Sequence, residues 1–330
     1  MHPAGIVVES IYLGGGTPSL AEPGLIAGLM ETVEKRFRLK SGAEVTIEAN
    51  PSDLTGREVL LAYKSAGINR LSLGIQSLDD GLLKVLGRRG GGREAIGALD
   101  AASSVKGLRL SADLICGIPG QSVQALLADL NELTARGVTH ISVYSLSIPG
   151  GTPLSREIKN KLLEPLPEEL EVEMYLAAKK LLEERGFLHY EISNFAKRGG
   201  QCYHNIGYWK QRPYIGLGAA AVSYDGANRY YNEPGLGKYR SKILKGALPV
   251  RKAEIIGPEK QLSEYIFLGL RLLEGIALKD MEARFPDFAG DFAARSKDLE
   301  ERGLMSMSGG RYKLTVKGIL YSNDVFAELI

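Results

Sequence analysis

The sequence has little cysteine, one tryptophan and no long apolar run. Only Cys116 and Cys202 carry thiols, and Trp209 is the one indole in 330 residues. Two cysteines give no disulfide framework, which is typical of a reducing compartment, so we expect a cytoplasmic protein. No apolar run approaches the roughly 20 residues that cross a bilayer, and no signal-peptide pattern is visible. The sequence therefore predicts neither a membrane span nor secretion.

Charge of either sign is also not in excess. The 41 Lys and Arg residues and 39 Asp and Glu residues leave a formal net charge of +2. This balance gives no bulk attraction to nucleic acid or to an anionic membrane. A chain of this length can form one large domain and a smaller one.

Short apolar strands alternate with helical patterns at roughly 30-residue intervals, as in βαβ units around a parallel sheet. The predicted strands are 11–13, 44–49, 70–75, 108–115, 140–146 and 188–193. The predicted helices are 23–37, 55–66, 79–86, one ending at Ser103, 122–136 and 168–185. Residues 201–214 read as an aromatic loop. Five βα units fit before residue 150, which predicts an α/β fold with a partial parallel barrel.

The strand signals largely stop near residue 236, so we predict domains at 1–235 and 236–330. Helices are predicted at 238–245, 258–273, 278–285, 288–302 and 317–329, with a hairpin from 304–307 and 312–314. This pattern is typical of a helical, winged-helix-like domain. The helix 288–302 mixes acidic and basic residues, whereas a helix that faces phosphate is basic, so no nucleic acid is expected.

The most informative stretch is Ser10–Leu20, SIYLGGGTPSL. Three glycines after a short strand let backbone N–H groups approach a ligand at the carboxyl edge of a parallel sheet. A glycine-rich turn alone is also typical of an ordinary βα turn, or of a phosphate-binding barrel enzyme.

Several short stretches together resemble the radical S-adenosylmethionine family. They are GGGTPS (14–19), IEANP (47–51), RLSLGIQS (70–77), LGR (86–88), DLICGIPGQS (113–122) and HYEISNFA (189–196). The ordered set is similar to the branch that holds oxygen-independent coproporphyrinogen III oxidases and HemW-like haem chaperones. The stretch CYHNIGYW (202–209) looks like the HNxxYW signature of the chaperones. The resemblance runs from Ile6 to about Leu329.

The resemblance implies a pocket for S-adenosylmethionine. Its residues are Gly14, Gly15, Gly16, Thr17, Glu48, Gln76, Arg88 and Asp113. Backbone groups of the glycines can meet the amino-acid end, carboxylates can accept from hydroxyls or an ammonium, and Arg88 can pair with a carboxylate. The alternative for each polar residue is a cap at a strand end or a surface charge.

The resemblance also implies haem binding and delivery of haem to client proteins. The candidate residues are His204, Asn205, Tyr208 and Trp209, with His204 as the ligand of the haem iron and the aromatic rings as stacking surfaces. Cys202 is an alternative ligand, and a surface histidine beside a core tryptophan is the ordinary alternative. A second hypothesis is oxidative decarboxylation of coproporphyrinogen III in porphyrin biosynthesis, against which HNIGYW argues.

Two features depart from the family pattern. Family members hold a [4Fe–4S] cluster with CxxxCxxC, whereas this chain has only two cysteines, and Gly90 stands where the pattern LGRxH carries histidine. Two thiolates do not replace three, so this chain is not expected to be catalytically competent as given. We expect a fragment without the first βα unit, whose reading frame continues upstream of Met1 into three cysteines. The competing hypothesis is a relative that has no cluster.

Overall fold

The computed structural model describes residues 6–54 and 56–330. Five strands alternate with helices in the first part of the chain. They are β1 (Val7–Leu13), α1 (Pro23–Arg36), β2 (Arg38–Ala49), α2 (Arg57–Ser65), β3 (Arg70–Gln76), α3 (Asp80–Val85), α4 (Gly92–Ser103), β4 (Arg109–Cys116), α5 (Val123–Ala135) and β5 (His140–Ser145). The predicted βα alternation is confirmed, and Thr55, the first residue of the predicted helix 55–66, lies outside the described residues.

After β5 the chain adds two helices and a hairpin. They are α6 (Pro153–Lys159), α7 (Glu168–Glu184), β6 (Leu188–Glu191) and β7 (Asn194–Ala196). The predicted strand 188–193 is confirmed as β6 but ends at Glu191, because the chain reverses there and β7 pairs with β6 and β5 in antiparallel fashion. The seven strands form one sheet in the order β1-β2-β3-β4-β5-β7-β6, in which β1 to β5 are parallel. The predicted partial parallel barrel is confirmed.

The two faces of the parallel strands differ in chemistry. One face packs Ile47, Leu71, Leu114 and Ile141, all fully buried, against the helices to form the core. The opposite face, here called the polar face, carries Ser10, Tyr12, Glu44, Thr46, Glu48, Arg70, Ser72, Ser111, Asp113, His140 and Ser142. Parallel strands with helices on both faces are apolar throughout. The polar face is therefore built for polar contacts rather than for helix packing.

The rest of the chain begins with α8 (Tyr203–Trp209), followed by an antiparallel sheet and a helical part. The sheet holds β8 (Val222–Tyr224), β9 (Asn228–Asn232) and, after α9 (Leu236–Leu244), β10 (Val250–Ile255). The helical part holds α10 (Pro258–Gly269), β11 (Ile276–Ala277), α11 (Leu278–Arg284), α12 (Pro286–Glu301), β12 (Met305–Ser308), β13 (Arg311–Leu314), α13 (Val316–Leu320) and α14 (Ser322–Leu329). Strands β12 and β13 form the predicted hairpin.

Three sequence-based predictions differ from the structure in this part. The predicted loop 201–214 contains α8. The predicted helix 317–329 is two helices that meet at Tyr321. The strand content after residue 236, where strand signals largely stop, is underestimated, because β10 and β11 are present in addition to the predicted hairpin.

Contacts divide the chain into two compact units, of which the first ends at His204 and the second begins at Asn205. This division falls within α8. The domains 1–235 and 236–330, defined by strand content, stay a prediction. No helix among residues 6–54 and 56–330 is long and apolar enough to cross a membrane.

Candidate functional site

The triple-glycine turn follows β1 at the carboxyl edge of the sheet. Gly15 and Gly16 have φ angles of +78° and +73°, the left-handed region that glycine enters without strain. A Cβ on Gly14 would lie 2.8 Å from the Tyr12 ring and 3.0 Å from Glu48 Oε2. The turn therefore requires glycine at all three positions, and its backbone is exposed.

Glu48, at the end of β2, is bound to this turn. Its Oε2 accepts a hydrogen bond from Gly15 N at 3.3 Å, and its Oε1 accepts from the Tyr12 hydroxyl at 2.8 Å. Burial and then the Glu48 carboxylate raise the pKa of Tyr12 well above its ordinary value. Tyr12 therefore remains a protonated donor at neutral pH, and the sequence-predicted pair of glycine turn and Glu48 is in contact.

Gln76 ends β3 in an uncommon conformation. Its φ angle is +67°, in the left-handed region, and its side chain is buried. Asn50 Oδ1, which lies near the same Gly74 backbone as the Gln76 amide, accepts from Arg88 Nη1 at 3.4 Å. Arg88 itself is exposed. Asn50 therefore contacts Arg88, and both Asn50 and the Gln76 amide lie beside Gly74 of β3.

Asp113 lies on the polar face of β4. Its Oδ1 accepts from Ser142 Oγ at 2.7 Å, and its Oδ2 accepts from Ser72 Oγ at 3.4 Å. Burial raises the pKa of Asp113, and the Glu48 carboxylate raises it further, while the two serines and Arg70 oppose the shift. The net direction is upward, so this carboxyl group holds its proton to a higher pH than an exposed aspartate.

His204, near the start of α8, packs against the polar face. Its Nδ1 lies 3.0 Å from Ser10 Oγ, and its ring stacks on Tyr12 with centroids 4.9 Å apart. Burial lowers the pKa of His204; Glu44 opposes this shift and Arg70 adds to it. The imidazole is therefore neutral at pH 7. Because Tyr12 also binds Glu48, one side chain contacts residues of both sequence-predicted sites.

Glu44 holds the start of α8, and the sequence analysis missed it. Its side chain is 2% exposed and accepts hydrogen bonds from the backbone N–H groups of Tyr203, at 3.3 Å, and His204, at 3.0 Å. Arg109 Nη2 at 3.3 Å and Cys202 Sγ at 3.5 Å complete its partners. Glu44 thus satisfies helix N–H groups that would otherwise lack acceptors. The signal for it is the acid that begins the alternating strand 44–49.

Asn205, Tyr208 and Trp209 belong to the second compact unit. Tyr208 meets the Tyr214 ring edge-on, with centroids 4.8 Å apart. The Arg271 guanidinium lies 4.5 Å from the Trp209 ring, and Trp209 Nε1 is buried without a hydrogen-bond partner among the described residues. Asn205 is half-buried.

The thiols do not fit the [4Fe–4S] cluster that the family resemblance implies. Cys116 and Cys202 are both buried and neither forms a disulfide, and burial raises the pKa of Cys116 to about 11. No group of three or more His, Cys, Asp or Glu side chains in the described part of the chain is placed to hold a metal ion. A cluster of this type needs three thiolates, which these two buried thiols do not supply.

Two family profiles match this chain, one in its first part and one near its end. The Radical SAM superfamily profile matches residues 2–133, and the HemN C-terminal domain profile matches residues 256–321. The heme chaperone HemW of Bacillus subtilis is 34% identical over 325 residues, which are 98% of this chain and 86% of the relative. HemW of Mycobacterium tuberculosis is 34% identical over 326 residues, 98% of this chain and 81% of the relative.

A mitochondrial relative and a solved structure extend the likeness. Radical S-adenosyl methionine domain-containing protein 1 of Bos taurus is 33% identical over 335 residues, 98% of this chain and 76% of the relative. The coproporphyrinogen III oxidase HemN from Escherichia coli superposes with a TM-score of 0.83 at 19% identity, covering 98% of this chain and 78% of that one. The superposition on HemN shows that this chain and HemN share a fold.

Proposed function

The chain belongs to the radical SAM superfamily and, within it, to the HemW family, and on that premise we propose that it binds haem and delivers it to client proteins. The observation that carries this proposal is the His204 imidazole of HNIGYW, which contacts Ser10 and Tyr12 and whose pKa is lowered by burial. Neutral imidazole is a common axial ligand of haem iron. The two cysteines form no disulfide, which suits the reducing cytoplasm, where we expect this transfer to occur.

His204 is the better candidate for the iron ligand than Cys202. The Cys202 thiol is fully buried and directed at Glu44, so it would have to leave that contact to bind iron. Asn205, Tyr208 and Trp209 lie in the same helix, and we propose that their side chains contact the macrocycle.

S-adenosylmethionine is proposed to bind at the glycine turn. The exposed backbone of Gly14, Gly15, Gly16 and Thr17 suits its amino-acid end, and the nearby Glu48 and Asp113 carboxyl groups suit its ammonium and ribose hydroxyls. The exposed Arg88 and the Gln76 amide complete the set. When bound, S-adenosylmethionine supplies a sulfonium whose reductive cleavage requires an electron from a cluster. The buried thiols of this chain do not provide the cluster's ligands.

The alternatives receive less support from the same residues. Coproporphyrinogen oxidation depends on that electron, so the poor fit of Cys116 and Cys202 to a cluster argues against it in this chain. A phosphate ester at the glycine turn would meet the Glu48 carboxylate, 3.3 Å from Gly15 N, and would be repelled. Conversion of coproporphyrinogen III by the purified chain in the presence of S-adenosylmethionine and a reductant would replace the chaperone proposal.

Haem titration of the full chain tests the ligand. His204→Ala is expected to weaken haem binding at least about tenfold and to change the Soret band, because an axial ligand is lost. Cys202→Ser is the matched control and should bind as the parent does. Unchanged binding in His204→Ala would place the ligand elsewhere.

Transfer to apomyoglobin tests delivery. Direct transfer predicts a rate that rises with the concentration of apomyoglobin, whereas passive release predicts a constant rate. For S-adenosylmethionine, calorimetry of Glu48→Gln should give about tenfold weaker binding, since a charged acceptor is lost. Glu31→Gln on the exposed face of α1 is the control. Equal affinities in parent and Glu48→Gln would remove Glu48 from the site.

A further inference from the structure

The helix α9 and the turn that follows it carry four exposed aliphatic side chains. They are Leu236 (73% exposed), Ile243 (48%), Leu244 (74%) and Leu248 (81%). None of the nine residues of α9 is buried. A single exposed leucine is ordinary in a folded protein, whereas several in one short segment mark an interaction surface. The segment 236–248 is here called the α9 surface.

Hydrogen bonds fix the conformation of the α9 surface. On its inner side Lys242 Nζ donates to Val250 O at 2.9 Å. At the end of the helix Gly246, with a φ of +71°, donates from its N–H to Ile243 O at 2.9 Å, and Ala247 N donates to Lys242 O at 3.0 Å. This pair of bonds is a Schellman motif, which closes the helix. The exposed side chains therefore belong to a hydrogen-bonded helix and turn.

Aliphatic and basic side chains share the outer side of α9. Leu236, Ile243 and Leu244 are spaced i, i+7 and i+8, so they lie on one stripe of the helix. Arg240 is on the same stripe, four residues after the first leucine and four before the last. Lys238 and Lys245, seven residues apart, form a second stripe, and the side chains of these three cations are exposed.

The charge of the α9 surface has one sign. Residues 236–252 contain no Asp or Glu and six basic residues, which are Lys238, Arg240, Lys242, Lys245, Arg251 and Lys252. Glu233, the acidic residue that precedes this range, pairs with Lys242 at 2.8 Å. The whole chain has a net charge of only +2, so the attraction for anions is local to this segment.

The composition of the α9 surface favours lipid over a protein partner. Protein interfaces are depleted in Lys, and their strongest contacts come from Trp, Tyr and Arg. An interfacial helix instead inserts aliphatic side chains into the bilayer beside Lys and Arg that meet anionic headgroups. We propose that the α9 surface binds the surface of an anionic lipid bilayer. With nine residues, α9 lies on the bilayer and does not cross it.

Flotation of the full chain with lipid vesicles tests this proposal. Vesicles of phosphatidylcholine with about 30% phosphatidylglycerol are compared with phosphatidylcholine alone, and the parent should bind the anionic vesicles at least about tenfold more tightly. Raising NaCl from about 0.1 M to about 1 M should remove most of this preference, because salt screens exposed charges. Neither haem nor S-adenosylmethionine is present, so the result does not depend on the proposed function.

A leucine variant tests the apolar contribution. Leu244→Ser combined with Leu248→Ser should weaken binding to anionic vesicles about 10- to 100-fold, because inserted aliphatic carbon is lost. The matched control combines Leu20→Ser with Leu162→Ser, which changes leucines of similar exposure, 73% and 72%, in the first compact unit. The control should bind as the parent does.

A lysine variant tests the electrostatic contribution. Lys238→Gln combined with Lys245→Gln should weaken binding to anionic vesicles about tenfold or more and leave binding to phosphatidylcholine unchanged. Lys106→Gln combined with Lys180→Gln is the control, because both of these lysines are exposed in the first compact unit. Every substitution is at an exposed side chain, so the fold should persist, and circular dichroism checks it.

Each outcome decides the proposal. Weaker binding of both α9 variants to anionic vesicles, with both controls unchanged, supports it. Parent protein that binds neither type of vesicle, or binds both equally, would overturn the lipid proposal and leave haem binding standing. Binding that persists in the leucine variant would place the lipid contact elsewhere. A parent dimer that dissociates in the leucine variant, detected by light scattering without vesicles, would assign the α9 surface to a second copy of the chain instead.

Discussion

The Tyr12 ring stacks on the His204 imidazole, with centroids 4.9 Å and planes 26° apart. The same tyrosine donates from its hydroxyl to Glu48 at 2.8 Å. The residue proposed to bind iron and the residue proposed to bind S-adenosylmethionine are therefore held by one side chain. A shift of the imidazole would displace the ring that positions the Glu48 carboxylate.

Ser10→Ala tests how His204 is held. The variant removes the group 3.0 Å from Nδ1, so we expect the imidazole to turn more freely, with about three- to tenfold weaker haem binding and a shifted Soret band. Ser111→Ala is the control, because Ser111 makes the same kind of contact with His140 Nδ1 at 2.8 Å. It should leave the haem spectrum unchanged. A haem spectrum of Ser10→Ala that is identical to that of the parent would contradict the role of Ser10 in holding the His204 imidazole.

Glu44→Gln tests the carboxylate that holds α8. The two carboxylate oxygens of Glu44 accept from Arg109 and from the N–H groups of Tyr203 and His204, whereas glutamine has one acceptor oxygen. We therefore expect the free energy of unfolding in urea denaturation to fall by about 2–4 kcal/mol. Glu183→Gln breaks an exposed pair with Lys179 and should change it by less than about 0.5 kcal/mol. Equal changes in the free energy of unfolding for the two variants would show that the buried contacts of Glu44 do not stabilise the fold more than an exposed ion pair does.

Gly92→Ala and Gly97→Ala form a matched pair within α4. A Cβ at Gly92 would lie 1.9 Å from Leu78 O, whereas none of the surrounding atoms comes within 4 Å at Gly97. We expect Gly92→Ala to lower the free energy of unfolding by about 3 kcal/mol or more. Gly97→Ala should raise it by about 0.5–1 kcal/mol, because alanine has the higher helix propensity. Thermal denaturation that orders the two variants the other way would refute the packing of α4 on Leu78.

The lowered pKa of His189 predicts that the fold loses stability in mild acid. Burial lowers its pKa to about 4, while an unfolded histidine titrates near 6.5. Between these pH values the unfolded chain binds a proton and the folded chain does not. The free energy of unfolding therefore falls as the pH decreases from 6.5 towards 4, by at most about 3 kcal/mol from this residue.

His189→Phe is the variant that checks this pH dependence. Phenylalanine can keep the stack on Phe195, whose ring centroid lies 4.2 Å away, and it takes up no proton. Denaturation of parent and variant at pH 7 and pH 4.5 should give a shallower slope for the variant. A residual slope is expected, because burial also lowers the pKa values of His140 and His204. Equal slopes would mean that the His189 pKa is not lowered.

The parallel strands could be predicted because each is a short stretch rich in apolar or β-branched residues and bounded by turn residues. The segments 70–75 and 140–146, for example, correspond to β3 and β5 within one residue at each end. The α8 helix could not be predicted in this way. Tyr, His, Asn and Gly are poor helix formers, and Glu44, which satisfies its first N–H groups, lies far away in the sequence. Local propensity carries no information about such a partner.

Some residues of the candidate site could be predicted from the sequence and others could not. Glu48, Gln76 and Asp113 could be placed at one sheet edge because they lie at or near the carboxyl ends of parallel strands, and their binding roles stay a prediction. Glu44 was missed because it lies inside β2, where the pattern predicts structure rather than chemistry. The usable signal was the alternation of polar and apolar residues in strands that would be uniformly apolar between two helical layers.

The backbone of Gln76 is held in a strained conformation at the end of β3. A residue other than glycine held at a φ of +67° costs about 1–2 kcal/mol, and glycine at this position would avoid most of that penalty. The chain carries glutamine at the end of β3 all the same. The end of β3 therefore carries a backbone cost that glycine would avoid, and a binding role for the Gln76 side chain at this edge of the sheet stays a prediction.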